Sequence, residues 1–171
     1  VKQLTSGDWE VTQVYGFDGK EVYFQAAKNS SVERQIYAVN LKGEMRTLIN
    51  KVGVNNARFS SNFKYLININ STVDQPYQYV LFDNKGKQVR VLEDNQEFAE
   101  RMKEYNLAKK ELVTITDPAF VLPDGTQLEM ETWRILPPDF DPNKKYPVLI
   151  YVYGGPGHQT VMNSWNHSDY D

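Results

Sequence analysis

The sequence predicts a mainly β chain that changes architecture once, near residue 95. The first part reads as β-propeller blades, and the second opens an α/β arrangement. Three observations predict this: a hairpin pattern that recurs after 43 positions, a single amphipathic helix behind it, and a later stretch that is apolar on both faces.

The early strands show as alternation of apolar and polar residues at Trp9, Val11 and Gln13 to Tyr15, at Val22 and Phe24, and at Ile36, Ala38 and Asn40 to Leu41. Sliding the sequence on itself by 43 positions lays Gly43 on Gly86, Lys42 on Lys85, and IYAVNLKGEMRTL on YVLFDNKGKQVRV. The same shift lays Val22, Tyr23 and Phe24 over Tyr65, Leu66 and Ile67. A unit of ~40 to 45 residues carrying about four strands has the size of a propeller blade. Asp18-Gly19, Gly43 and Gly86 supply the tight turns. A plain antiparallel meander or sandwich is the rival; recurrence of both halves of the unit in register favours the propeller. Two blades leave sheet faces uncovered, so the expectation is an internal piece of a longer protein whose earlier blades precede Val1.

Asp94 and Glu97 have the spacing of a capping box, and Phe98, Met102 and Tyr105 fall on one face of a helix behind it. Its charged face, with Glu100, Arg101, Lys103 and Glu104, is a solvated side. Glu111 to Thr116 and Gln127 to Leu136 read as strands around the turn LPDGT, ended by Pro137 and Pro138. In YPVLIYVYGGPG, Val148, Ile150 and Val152 point one way and Leu149, Tyr151 and Tyr153 the other. This pattern predicts a central strand in a covered, largely parallel sheet.

Composition narrows the function. With 171 residues, 40% hydrophobic content and a net charge of -3, the chain can bury one core or two small ones. It has no basic stripe of the kind that neutralises phosphates, which argues against nucleic acid as a partner. No run approaches the ~20 apolar residues that cross a bilayer. Absence of cysteine excludes disulfides and thiolate metal sites, and there is no H-E-x-x-H. No cofactor and no metal are expected.

Ligands of open α/β sheets sit beyond the carboxyl ends of the strands, where a glycine-rich exit lets backbone approach a substrate. YGGPG occupies that place, and the Tyr153 phenol is its candidate oxyanion-hole donor. Taken alone, an aromatic residue before a glycine turn reads first as a packing residue at a sheet end, with GGPG an ordinary turn. No G-x-S-x-G occurs, so the turn that exposes a nucleophilic serine is lacking. His158, His167, Ser164 and Asp169 crowd into a dozen residues, whereas triads draw their members from separate strand ends; these read as loop polar groups. Glu129 and Glu131, two apart, share one solvated strand face.

GDWEV (Gly7 to Val11), RVLEDN (Arg90 to Asn95) and WRILPPDFDPNKKYPVLIYVYGGPG (Trp133 to Gly157) together resemble the dipeptidyl peptidase IV branch of the prolyl oligopeptidase family. The resemblance implies the last blades of a β-propeller over residues 1–95. Over residues 96–171 it implies a linker helix and the first strands of an α/β-hydrolase domain. It also implies a serine exopeptidase parent that removes Xaa-Pro or Xaa-Ala dipeptides from peptides with a free N-terminus. Relatives often have V-Y-A-G-P where this chain has V-Y-G-G-P, and the family's oxyanion tyrosine matches Tyr153. The catalytic Ser, Asp and His are then expected beyond Asp171, and the glutamates that grip the substrate's amino terminus before Val1. The isolated chain is expected to be inactive. A homodimeric parent in the periplasm or at the cell surface is expected on the same ground. A non-catalytic propeller-type binding module and a sister prolyl tripeptidyl peptidase are the alternatives.

Overall fold

The computed structural model describes residues 1–155 and 157–165. Two four-stranded antiparallel sheets make up its first part. The first holds β1 (Val11–Phe17), β2 (Glu21–Ala26), β3 (Gln35–Asn40) and β4 (Met45–Ile49), each paired with the next. The second repeats this order with β5 (Val54–Phe59), β6 (Tyr65–Ser71), β7 (Gln78–Asp83) and β8 (Gln88–Glu93).

The recurrent hairpin extends to single atoms. Asn40 Oδ1 accepts from the amides of Lys42 and Glu44, and Asp83 Oδ1 accepts in the same way from those of Lys85 and Lys87. Gly43 and Gly86 both take positive φ, 96° and 83°. A short polar side chain that caps its own turn, followed by glycine in the left-handed region, closes both hairpins.

Pairing corrects the superposition of the first strands. Val22 pairs with Val39, and Leu66 pairs with Phe82, the repeat counterpart of Val39. Leu66 is therefore the counterpart of Val22, not of Tyr23. The chain between the paired residues Leu66 and Phe82 is one residue shorter than that between Val22 and Val39, and a one-residue slip moves a strand's side chains to the other face.

This offset explains how the sheets stack. Tyr23, Ile36 and Ala38 on one face of the first sheet pack with Ala57, Leu66, Val80 and Phe82 of the second, joined by Leu48 and Ile49. Tyr15, Phe59 and Phe63 close the seam, with ring centroids of Tyr23 and Phe59 4.9 Å apart. The opposite face of the first sheet carries Phe24, Ala26, Tyr37 and Val39, covered by Leu4 and Trp9. The two sheets thus meet through non-equivalent faces of the repeat. The N-terminal segment also copies the seam: Lys2 Nζ donates to the Leu41 carbonyl as Arg46 Nη2 donates to the Asn84 carbonyl.

After β8 the chain enters a helix shorter than the spacing of Phe98, Met102 and Tyr105 implies. α1 (Gln96–Met102) follows Asn95, which takes the left-handed conformation with φ 52°. The expected capping box does not form: no side chain caps the helix, and Asp94 Oδ1 instead accepts from the Gln96 amide. The left-handed residue puts the helix start after Asn95, so Asp94 and Glu97 lose their capping spacing. None of the helix residues is buried.

β9 (Lys110–Val121) and β10 (Gln127–Ile135) then form a separate antiparallel hairpin around Leu122 to Thr126. The α/β half of the expectation is overturned. No strand is assigned beyond Ile135 among the described residues, and Val148, Ile150 and Val152 are about 80% exposed rather than central in a covered sheet (81%, 80% and 80%). The apolar pattern supplies two faces to bury but no ladder partner, and β9 and β10 spend their hydrogen bonds on each other. The fold is mainly β, with two unclosed sheets and a hairpin.

Candidate functional site

The glycine-rich turn brings Tyr153 back over its own backbone. A Cβ placed on Gly155 would lie 2.7 Å from Tyr153 Cε1 and 2.9 Å from its hydroxyl oxygen, so a side chain there would push the exposed phenol aside from this position. The Tyr153 ring stands edge-on to His158, with centroids 4.7 Å apart and planes at 63°. Tyr153 is 54% exposed. Its phenol is held by loop contacts at the surface, not at the mouth of an interior sheet as the strand reading placed it. An exposed hydroxyl is free to donate to a ligand, which a hydroxyl packed in hydrocarbon is not.

A cleft of about 330 Å³ lies beside this loop, lined by Lys110, Trp133, Tyr151, His158, Gln159 and Ser164 among others. Lys110 Nζ sits 4.8 Å from the centre of the Trp133 ring, a cation-π contact that ties the start of β9 to β10. Ser164 and His158 both line the cleft. Pro156, His167 and Asp169 lie outside the described residues. Glu129 and Glu131 are exposed on β10 and pair with Thr116 and Thr114, the solvated face that their spacing implies.

The residues after the turn carry a feature with no sequence signal. Asn163, 9% exposed, is bound by loops of both sheets. Its amide donates to the Val32 carbonyl at 2.8 Å, and its carbonyl accepts from the Val54 amide at 3.1 Å. Its side chain accepts from the Val73 amide at 3.1 Å and donates to Glu33 Oε1 at 3.0 Å. Two residues on, the Trp165 amide donates to Ser71 Oγ at 3.1 Å. Ahead of it, Gln159 Oε1 accepts from Arg34 Nη2 at 2.6 Å while Gln159 Nε2 donates to the Ser31 carbonyl at 2.7 Å.

Arg34 is 5% exposed, and its Nη1 donates to the carbonyls of Ser31 and Glu33. Burial holds its guanidinium below the usual arginine range. Arg34 also bridges to Val54 in parallel, and Asn55 Nδ2 donates to the Arg34 carbonyl at 2.9 Å. The platform under residues 159–165 is therefore one of the places where the two sheets are cross-linked. The sequence hid it because the partners lie up to 130 positions apart and come from irregular loops.

Comparisons with known proteins cover nearly the whole chain. Residues 1–77 match the family described as the dipeptidyl peptidase IV N-terminal region. Dipeptidyl peptidase 4 of Trichophyton rubrum is 36% identical over 98% of this chain and 21% of its own length. That of Trichophyton equinum has the same identity and coverage. The solved structure of Porphyromonas gingivalis dipeptidyl peptidase 4 superposes with a TM-score of 0.84 at 38% identity, covering 96% of this chain and 23% of that one. The chain thus spans about a fifth of the length of the curated relatives it matches (21%).

Proposed function

We propose, from the premise that this chain is a relative of the dipeptidyl peptidase IV family, that it is part of a serine exopeptidase releasing N-terminal Xaa-Pro or Xaa-Ala dipeptides. The observation that carries the reading is 36% identity over 98% of the chain to a protein named dipeptidyl peptidase 4. Residues 1–95 are then two consecutive propeller blades, which the atom-for-atom repetition of the two hairpins supports. Residues 96–171 form the connection toward the peptidase domain of the longer protein.

In that protein a serine outside this chain attacks the carbonyl carbon of the second residue of the substrate, and the proton its hydroxyl gives up is passed on to the leaving amine. The carbonyl oxygen becomes an oxyanion, the C–N bond breaks as the leaving amine takes a proton, and water hydrolyses the resulting ester. Tyr153 donates its hydroxyl proton in a hydrogen bond to the oxyanion, an interaction that strengthens as charge develops. Its exposed phenol over Gly155 supports this role. The substrate partner is a peptide with a free N-terminus; the longer protein is a homodimer in the periplasm or at the cell surface.

The test is turnover of a Gly-Pro chromogenic amide. The 171-residue chain alone is expected to give none. In the longer protein Tyr153→Phe is expected to slow acylation by roughly 10²- to 10³-fold without loss of folding. A Tyr153→Phe enzyme with undiminished kcat/KM removes Tyr153 from the mechanism, and a longer protein without a G-x-S-x-G serine removes the peptidase reading.

A further inference from the structure

The loop carrying Tyr153 is continued by a leg, residues 159–165, bound along its length to the two sheets. Asn163 is the centre of that attachment. Its main-chain amide and carbonyl and both ends of its side-chain amide are engaged, by Val32, Val54, Glu33 and Val73. These partners come from three connections: the one between β2 and β3, the start of β5, and the one after β6. Glu33 is itself fixed, because its Oε1 also accepts from the Gly53 amide and its Oε2 accepts from Gln35 Nε2. Gln159 adds a second anchor through buried Arg34.

We propose that Asn163, assisted by Gln159, is a positioning residue that lets the β-sheet body hold the Tyr153 loop in register for oxyanion binding. The inference rests on the reading of Tyr153 given above. A hydrogen-bond donor acts on a transition state only if it is already in place, and displacement of ~1 Å costs up to about 100-fold in rate. The glycine turn itself cannot supply such rigidity, because Gly154, Gly155 and Gly157 lie within four residues of Tyr153. The far side of the turn is bound to a rigid reference of this kind. Here that is the junction of both sheets, so the repeat region acts on the chemistry through the geometry of one loop.

The experiment is a double-mutant cycle in the longer protein, reading kcat and KM separately with the Gly-Pro amide. Asn163→Ala is expected to lower kcat by roughly 10- to 100-fold with KM within about threefold. In a Tyr153→Phe background the same substitution is expected to change kcat by less than about twofold, because the misplaced donor is already gone. Gln159→Ala, at an exposed side chain, is expected to behave in the same way with a smaller effect, and it carries the comparison if Asn163→Ala does not fold. If Tyr153→Phe slows the enzyme but the effects multiply, or appear only in KM or in Tm, the positioning inference is overturned while the oxyanion reading stands. If Tyr153→Phe leaves kcat intact, both are overturned.

Discussion

Arg46 grips Glu21 with two parallel hydrogen bonds, 2.9 Å from Nε and 2.7 Å from Nη2, and the same Nη2 reaches the Asn84 carbonyl at 2.8 Å. Glu21 opens β2, Arg46 lies in β4, and Asn84 belongs to the hairpin turn of the second sheet. The ion pair therefore also fastens one repeat to the next. Arg46→Met is expected to destabilise the chain by about 1–3 kcal/mol, towards the lower end because both side chains are partly exposed. Lys2→Met, which removes a single exposed contact to Leu41, is expected to stay within about 0.5 kcal/mol. Urea unfolding of the two variants measures the difference; equal midpoints would contradict the seam role of Arg46.

The same pair sets a pH dependence. The hydrogen bond from Arg46 is the main cause that holds the Glu21 carboxyl below its ordinary range. A carboxyl with a folded pKa below the unfolded value of about 4.3 contributes stability that is present above that value. It is lost as the pH falls through the folded pKa. Tm is therefore expected to drop as the pH is taken below about 4, and less steeply in Arg46→Met, where the carboxyl has lost its partner. Superimposable Tm–pH curves for the two proteins would rule this out.

Gly86 and Gly125 share a positive φ, 83° and 86°, but not a neighbourhood. A Cβ on Gly86 would lie 2.5 Å from the Leu48 carbonyl oxygen, which is main chain and cannot rotate away, whereas Gly125 faces open space. Gly125→Ala is expected to cost about 1 kcal/mol, from left-handed backbone strain alone. Gly86→Ala adds a steric clash at the junction of the sheets and is expected to cost about 2–4 kcal/mol. Thermal unfolding of both variants checks the order; a Gly125→Ala as damaging as Gly86→Ala would break the argument.

How much of this was legible depends on whether the information is local. The turns at Asp18, Asn40 and Asp83 were readable because a capping side chain and a glycine lie within a few residues of each other. The hairpin of β9 and β10 was readable because its alternation and its turn are contiguous. The one-residue offset of Leu66 against Val22 was not, since a 43-position shift matches residue types equally well and only pairing reveals the shorter connection between β6 and β7. Val148 to Val152 misled for the opposite reason: apolar character on both faces reports what a strand could bury, while a strand exists only where partners offer a ladder. At the site, Tyr153 and Gly155 were visible as a motif, but the Asn163 platform was assembled from loops whose spacing obeys no period.

Tyr15 and Tyr23 offer a test at the other end of the pH scale. The Tyr15 hydroxyl accepts a hydrogen bond of 3.1 Å from the Ala57 amide, so it joins β1 to β5 across the two sheets. Burial pushes its pKa up to about 12, against a partial lowering by that bond. Tyr23 is pushed up to about 12 as well, first by burial and then by its hydrogen bond to Asp18 at 3.0 Å. For a group whose folded pKa is raised, stability is fully present below the unfolded value, about 10, and is lost as pH rises toward the folded one. Alkaline unfolding is therefore expected between about pH 10 and 12, with Tyr15 and Tyr23, and with them Tyr37, whose pKa burial also raises, ionising only as the fold opens. Ultraviolet titration of tyrosinate followed together with circular dichroism tests the coupling. Tyr15→Phe separates the two residues: it leaves the Ala57 N–H without its acceptor and is expected to cost about 1–3 kcal/mol at neutral pH. The same variant removes one titrating group, so its stability should fall less steeply with pH above 10 than that of the parent chain. Full ionisation of every tyrosine near pH 10 with the circular dichroism spectrum unchanged would mean that neither hydroxyl is buried at the seam.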